Sequence, residues 1–266
     1  MTWIVQAKMS RNQVTISTQN IDISIPNRIL VKNLTMAVKS NDFMAILGQN
    51  GCGKSLTLHT LAGVRAPSSG NIELMMENIE TKSKREIAKN LALLTQDTED
   101  IFPSTVFDSV LIGRHPHIGA FNNESAEDIF IANNALKQVG LLELKDRDIT
   151  SLSGGERRRL SIAQVITQQP KIYLLDEPTN HLDPQYQLEI LKLFKNKANA
   201  GNSILSTMHD VNLAVRFATR CLLLFGDGSW LLGDTLEILN EENLTKLYGI
   251  KMERIETEKQ IFFSAI

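Results

Sequence analysis

The chain opens with a stretch in which β-branched apolar residues recur against polar neighbours. Val14, Ile16, Ile21, Ile23, Ile25, Ile29 and Val31 set that pattern, which predicts strands across the first forty residues. Residues 43–47 (FMAIL) are a short unbroken apolar run ended by Gly48, as expected of a strand buried on both faces. The period then changes. Leu58, Leu61 and Ala62 share one side of a helix over residues 54–62, with Gly63 placed to end it. Ser125 followed by Asp128 predicts a capping box opening a helix that carries Ile129, Ala132, Leu136 and Val139 and closes at Gly140. A polar helical stretch continues to Asp148 without a strand signal, so this part of the chain reads as a helical insert.

Beyond Gly155, helix and strand alternate. Helices are expected over 156–169, 184–198 and from Asp210 to Ala218, and strands over 171–175, 203–207 and 221–225. Asp183 is the expected N-cap of the 184–198 helix and Pro184 its first residue, with Ile190, Leu191, Phe194 and Ala198 facing inward. Such alternation predicts an α/β chain with a mostly parallel sheet covered on both faces, folded as one domain.

Composition narrows the function classes. The 266 residues are 42% hydrophobic and 22% charged, which excludes disorder and fibrous repeats. Lys+Arg 28 against Asp+Glu 30 leaves a net charge of −2, so no nucleic-acid partner is expected. Cys52 and Cys221, without a CxxC pair or Cys/His cluster, predict neither a disulfide framework nor a zinc site, and a reducing compartment. The longest apolar runs fall short of the about 20 residues that span a bilayer. The first eight residues lack the basic start and apolar core of a signal peptide. If the chain serves transport, another chain supplies the pore.

Candidate chemistry lies in three short runs. Residues 48–55 (GQNGCGKS) match GxxxxGK[ST] between a predicted strand and a predicted helix. The glycines let backbone N–H groups converge on phosphate oxygens at a helix start; Lys54 would reach the β- and γ-phosphates, and Ser55 would bind Mg²⁺. Residues 172–177 (IYLLDE) place two carboxylates at the carboxyl edge of a parallel sheet. There Asp176 can hold Mg²⁺ through its water shell, and Glu177 can take a proton from an attacking water. Residues 151–156 (SLSGGE) open a helix with Ser153 as N-cap and two glycines exposing N–H groups, a second anion-binding start.

The order GQNGCGKS, LSGGE, LLDEP and a lone His209 after an apolar strand resembles the ATP-binding-cassette (ABC) ATPases over about residues 21–248. That resemblance implies a RecA-like P-loop ATPase core of residues 1–96 and 160–266, with an N-terminal antiparallel β region and a helical subdomain inserted at about 97–159. It implies ATP and Mg²⁺ as cofactors. Gly48, Gln49, Asn50, Gly51, Cys52, Gly53, Lys54, Ser55 and Leu56 become the nucleotide loop, and Ser55, Gln96 and Asp176 the metal contacts. Glu177, His209 and Gln96 become the catalytic set. It further implies a head-to-tail homodimer in which Ser153, Gly154, Gly155 and Glu156 act in trans and the Asp183 loop crosses the interface.

One position departs from the family. Where members carry an aromatic to stack on adenine, this chain has Ile25, and Ile25 or a stacked Arg28 guanidinium is left to substitute. Arg157, Arg158 and Arg159 sit at a helix start, where the dipole disfavours cations, and read as a solvated face. Cys52 reads as a small filler whose place beside amide dipoles would expose it to thiol reagents.

Residues 113–121 (GRHPHIGAF), 176–183 (DEPTNHLD) and 242–249 (ENLTKLYG) resemble the ATPases that energise uptake of siderophores, haem and cobalamin. The implied protein is an importer ATPase, peripheral at the cytoplasmic face of the inner membrane. Its implied partners are polytopic permease subunits and an extracytoplasmic substrate-binding protein. The alternatives are a soluble ribosome- or DNA-associated cassette and the ATPase of a split exporter. Ribosome-associated members carry two cassettes, and DNA-repair members carry coiled-coil inserts too long for residues 96–153. Residues 97–121, with Ile101, Phe102, Val106 and Phe107, are either a permease-docking segment or ordinary subdomain core. The cargo itself is not legible, since an ATPase subunit does not touch it.

Overall fold

The computed structural model describes residues 14–96, 103–119, 122–258 and 260–266. Two twelve-residue strands, β1 (Val14–Ile25) and β2 (Arg28–Lys39), pair antiparallel around a turn where Asn27 takes a left-handed conformation. After β3 (Phe43–Gly48), β4 (Ser69–Leu74) joins the other edge of β1 and the two-residue β5 (Glu77–Asn78) follows, giving an antiparallel sheet ordered β2-β1-β4-β5. The N-terminal β region is therefore antiparallel, as expected.

The second sheet holds β6 (Leu91–Leu94), β7 (Ile172–Leu175), β8 (Ser203–Thr207), β9 (Arg220–Leu224) and β10 (Trp230–Asp234) in the order β10-β9-β3-β8-β7-β6. Only β10 runs antiparallel to its neighbour. β3 explains the layering. Phe43, Ala45 and Leu47 enter one hydrophobic core, while Met44 and Ile46 enter another, so successive side chains feed opposite faces. The first core is shared with the helices, and the second with the antiparallel sheet and α1 (Lys54–Leu61), which contributes Leu58 and Leu61.

Between β6 and β7 the described chain contains helices, turns and one isolated bridge, Thr105 to Asp148, but no strand. α2 (Lys84–Asn90) precedes β6. Then come α3 (Val106–Leu111), α4 (Ala126–Gln138) and α5 (Gly154–Thr167), which pack on one another. The Ser125–Asp128 capping box forms with both reciprocal bonds, and Gly140 takes the left-handed conformation just past α4. Two expectations change. Ile129 is 43% exposed, so the buried face of α4 is Ala132, Ala135 and Leu136. The stretch to Asp148 is no α-helix but holds one short 3₁₀ turn, Leu142–Leu144, and a second, Ile149–Ser151, follows Asp148. Val106 is fully buried and Phe107 packs against the core, the subdomain-core alternative for those two residues; Ile101, Phe102, Ala120 and Phe121 lie outside the described residues.

The carboxyl-terminal third follows the predicted alternation through α6 (Pro184–Asn199) and α7 (Val211–Phe217), capped by Asp183 and Asp210. It then adds α8 (Thr235–Ile238), α9 (Glu241–Tyr248) and the hairpin β11 (Met252–Glu256) with β12 (Ile261–Ala265), none of which showed a clear period. Among the described residues no helix is long and apolar enough to cross a membrane.

One ion pair knits the helical region. Arg114, buried after α3, donates from Nε to Asp128 Oδ1 at 2.7 Å and from Nη1 to the Thr167 carbonyl at 3.0 Å and Gln169 Oε1 at 3.1 Å. It joins the start of α4 to the end of α5. Hydrogen bonds from Ser125, aided by those from Arg114, hold the Asp128 carboxyl down at about 2. Its folded pKa lies below the ordinary ~3.9, so its stabilisation is complete above that value and is lost as pH falls through 2. Arg114→Ala should lower the urea-unfolding free energy at pH 7 by about 1.5–3 kcal/mol, since it removes the charged donor from a carboxylate that Ser125 still holds. The deficit should shrink as pH falls from 4 towards 2.

Candidate nucleotide site

β3 delivers the chain into the Gly48 loop at a place with no room for a side chain. A Cβ on Gly48 would lie 2.6 Å from the Leu224 carbonyl oxygen and 2.5 Å from Cys52 Sγ. Gly53 then takes φ 107 as the N-cap of α1, a conformation that L side chains rarely adopt. No side chain caps this helix, whereas α2, α4 and α5 all carry capping boxes. Its first-turn N–H groups, on Lys54, Ser55 and Leu56, therefore have no helical or capping acceptor and suit an anion. Lys54 is buried, and its Nζ donates to the Gly48 carbonyl at 2.9 Å and the Gln49 carbonyl at 3.3 Å, curling the loop around the ammonium. Cys52 is also buried, and burial pushes its thiol up despite the opposing Lys54 charge. It behaves as the small filler, and the expected opening to thiol reagents is not supported.

The acidic pair follows β7. Asp176 is 1% exposed and Glu177 is buried. Thr207, the last residue of β8, donates from Oγ1 to Asp176 Oδ1 at 2.6 Å and accepts the Glu177 N–H at 2.8 Å. One hydroxyl thus fixes both carboxylate residues. Glu177 has φ 47, the left-handed region, which turns its side chain out of the strand direction. Its Oε1 is hydrogen-bonded to His209 Nε2 and its Oε2 accepts from Asn180 Nδ2.

These elements meet at one cleft of 590 Å³, where Lys54, Ser55, Gln96, Glu177, Asn180 and His209 line the polar part. Ile25 and Leu30 line its apolar part. That volume lies within the range of small-molecule and cofactor sites. The Arg28 guanidinium donates to the Gly226 carbonyl at 2.7 Å and does not line the cleft, whereas Ile25 does, which leaves Ile25 of the two as the candidate against a nucleobase.

A family model described as ABC transporter matches residues 31–180. The chain belongs to this family. It is 34% identical over 240 residues to the iron(3+)-hydroxamate import ATP-binding protein FhuC of Bacillus subtilis, covering 90% of this chain and 89% of that one. It is 35% identical over 237 residues to the molybdate import ATP-binding protein MolC of Haemophilus influenzae, covering 88% of each. Among solved structures, a chain of a metal-chelate type ABC transporter in an inward-facing conformation is similar at TM-score 0.82 and 32% identity, covering 95% of this chain and 98% of that one. The protein is accordingly an ABC ATPase that binds and hydrolyses ATP.

In this cassette, the second glycine run does not line the cleft. Ser153 caps α5, and the Ser153 N–H and hydroxyl both donate to Glu156 Oε2 at 2.8 Å, holding that carboxyl below its usual range. Gly154 faces solvent, and a Cβ on Gly155 would come 3.3 Å from the His181 carbonyl oxygen. Asp183 caps α6 by accepting the Tyr186 N–H at 3.1 Å.

The arginine run is not a solvated face. Arg158 and Arg159 are buried, and Arg159 donates to the Val139 carbonyl at 2.9 Å with its guanidinium 4.2 Å from the Tyr186 ring centre. Carbonyl oxygens at the ends of other elements surround these cations and outweigh the unfavourable helix dipole. Thr207 and Asn180 were not among the expected site residues; β8 reads SILST, with three hydroxyls, so nothing local singles out Thr207. Thr207→Val keeps the shape but leaves the Glu177 N–H without its acceptor. It should cost about 1–3 kcal/mol in urea unfolding and slow ATP turnover.

Proposed function

We propose that this ABC ATPase powers an importer of a siderophore-bound iron, haem or cobalamin-type cargo through separate membrane permease subunits. It would sit peripherally at the cytoplasmic face of the membrane, with an extracytoplasmic substrate-binding protein in the full system. The likeness to the iron-hydroxamate relative and to the metal-chelate transporter chain supports that cargo class. The molybdate relative makes a metal oxyanion the alternative, and uptake assays separate the two. We also propose the division into a core of residues 1–96 and 160–266 and a helical subdomain of about 97–159.

In this reading, the residue 48–56 loop, with Lys54 at its centre, grips the terminal phosphates. Ser55, Gln96 and Asp176 form an all-oxygen donor set suited to Mg²⁺, and Asp176 keeps Oδ2 available because Thr207 takes Oδ1. When bound, the ion neutralises charge on the phosphates. Glu177 deprotonates the attacking water, and His209 and Gln96 hold the geometry.

The observation that carries the reading is the separation within one chain. The cleft gathers Lys54, Glu177 and His209, while the Ser153–Gly154–Gly155 run lies outside it; Glu156 takes the Ser153 N–H, and the Gly154 and Gly155 N–H groups at the start of α5 are left as donors. A second copy, head to tail, brings residues 153–156 of one protomer over the nucleotide of the other, with the Asp183 loop at the seam.

Lys54→Ala should weaken MgATP binding about tenfold or more by calorimetry. Glu177→Gln should keep that affinity, lose about 100-fold or more in turnover, and elute as a dimer with MgATP. Native turnover in Glu177→Gln would remove Glu177 from the base role. The protein should co-purify with a polytopic partner from solubilised membranes. Co-sedimentation with ribosomes or DNA at low salt instead would favour the non-transport alternative.

A further inference from the structure

Arg158 is the fifth residue of α5 and is 5% exposed, yet its guanidinium reaches two strand ends at once. Nη1 donates to the Thr95 carbonyl at 2.6 Å and also meets that of Gln96 at 3.3 Å. Nη2 donates to the Asp176 carbonyl at 2.5 Å and the Glu177 carbonyl at 2.7 Å. These oxygens directly follow β6 and β7. The Asp176 N–H to Leu94 carbonyl bond, 2.9 Å, closes the pairing of the two strands, so the carbonyls beyond it have left the ladder. Arginine's planar fork suits two pairs of acceptors side by side; a lysine ammonium is a single point donor.

The gripped backbone is that of the cleft itself. Gln96 and Glu177 both line it, and Asp176 is the buried carboxylate beside Thr207. The side chain that grips them comes from the first turns of the helix opened by Ser153, Gly154 and Gly155. A shift of that helix start relative to the sheet must therefore carry both strand ends with it or break these bonds.

We propose that Arg158 is a positioning residue that locks Gln96 and Glu177 to the start of α5, so that the hydrolytic carboxylate and the Ser153 run move as one unit. Nucleotide seated in the cleft then sets the placement of the run offered to the second copy. The inference rests on the reading that Glu177 and Gln96 belong to the hydrolytic site.

The test uses the full-length protein with Arg158→Ala, Arg158→Lys and Glu177→Gln. Arg158→Ala should hold its MgATP dissociation constant within about threefold of native while kcat falls about 10- to 100-fold, a misplacement effect. Arg158→Lys, with one point of donation, should recover only part of kcat. Hydrogen exchange adds a readout that a purely structural role would leave alone. In the native protein MgATP should slow exchange over residues 48–57 and also 150–157; in Arg158→Ala only the first segment should respond. Native kcat in either Arg158 variant, or persistent nucleotide-dependent protection of 150–157, overturns the proposal. So does a fall in kcat that merely tracks the loss of folded protein in thermal melts. If the alanine variant does not fold, the lysine variant carries the same comparisons. Native turnover in Glu177→Gln would instead sink the site reading, whereas an inactive Glu177→Gln beside a fully active Arg158→Ala sinks this inference alone.

Discussion

The burial of β3 on both faces and both edges is the constraint from which the site follows. It lies between β8 and β9, with Phe43, Ala45 and Leu47 in one core and Met44 and Ile46 in the other. A strand held this way cannot slip by one residue without exchanging the two sets of side chains. Gly48 is therefore fixed against the Leu224 carbonyl, and the loop and α1 must begin there. The same strand order sets β7 beside β8, so the Asp176–Glu177 turn meets Thr207. The phosphate-binding candidate and the acidic pair are thus placed by one parallel arrangement rather than by separate devices.

What was legible in the sequence was chemistry carried by contiguous runs. Residues 48–55 and 172–177 announce a loop and a strand end because each run contains both its structural reason and its reactive groups. The capping box at Ser125 and the N-cap at Ser153 were readable for the same reason, since each bonds a residue three positions on; the reciprocal bond from Glu156 at Ser153 was not foreseen. The order of runs then gave the fold class through resemblance to the family. Elements without a clear period, among them β6, α2 and the β11–β12 hairpin, take their form from tertiary packing and gave little signal.

The misreadings share a different cause. Thr207 touches residues about thirty positions upstream, and Arg158 meets Thr95 from sixty-three positions away. Local rules treated the arginines as cations at the wrong end of a helix dipole, and the dipole is real, but several carbonyl dipoles from strand ends outweigh it at close range. Ile25 and Arg28 were equal candidates in the sequence; the distant Gly226 carbonyl, bonded by Arg28, and the place of Ile25 in the cleft lining separate them. Burial settled Cys52 in the same way, by supplying neighbours the loop sequence does not name.

The guanidinium of Arg158 recognises main-chain oxygens and no partner side chain among these four bonds. Every amino acid offers the same oxygen, so the clamp itself sets no side-chain requirement at positions 95, 96, 176 and 177 and demands no matching change at 158; at 96, 176 and 177 the chemistry of the cleft is what restricts the residue. A search for correlated substitutions would pass over such a joint, because its acceptors have no sequence identity to correlate.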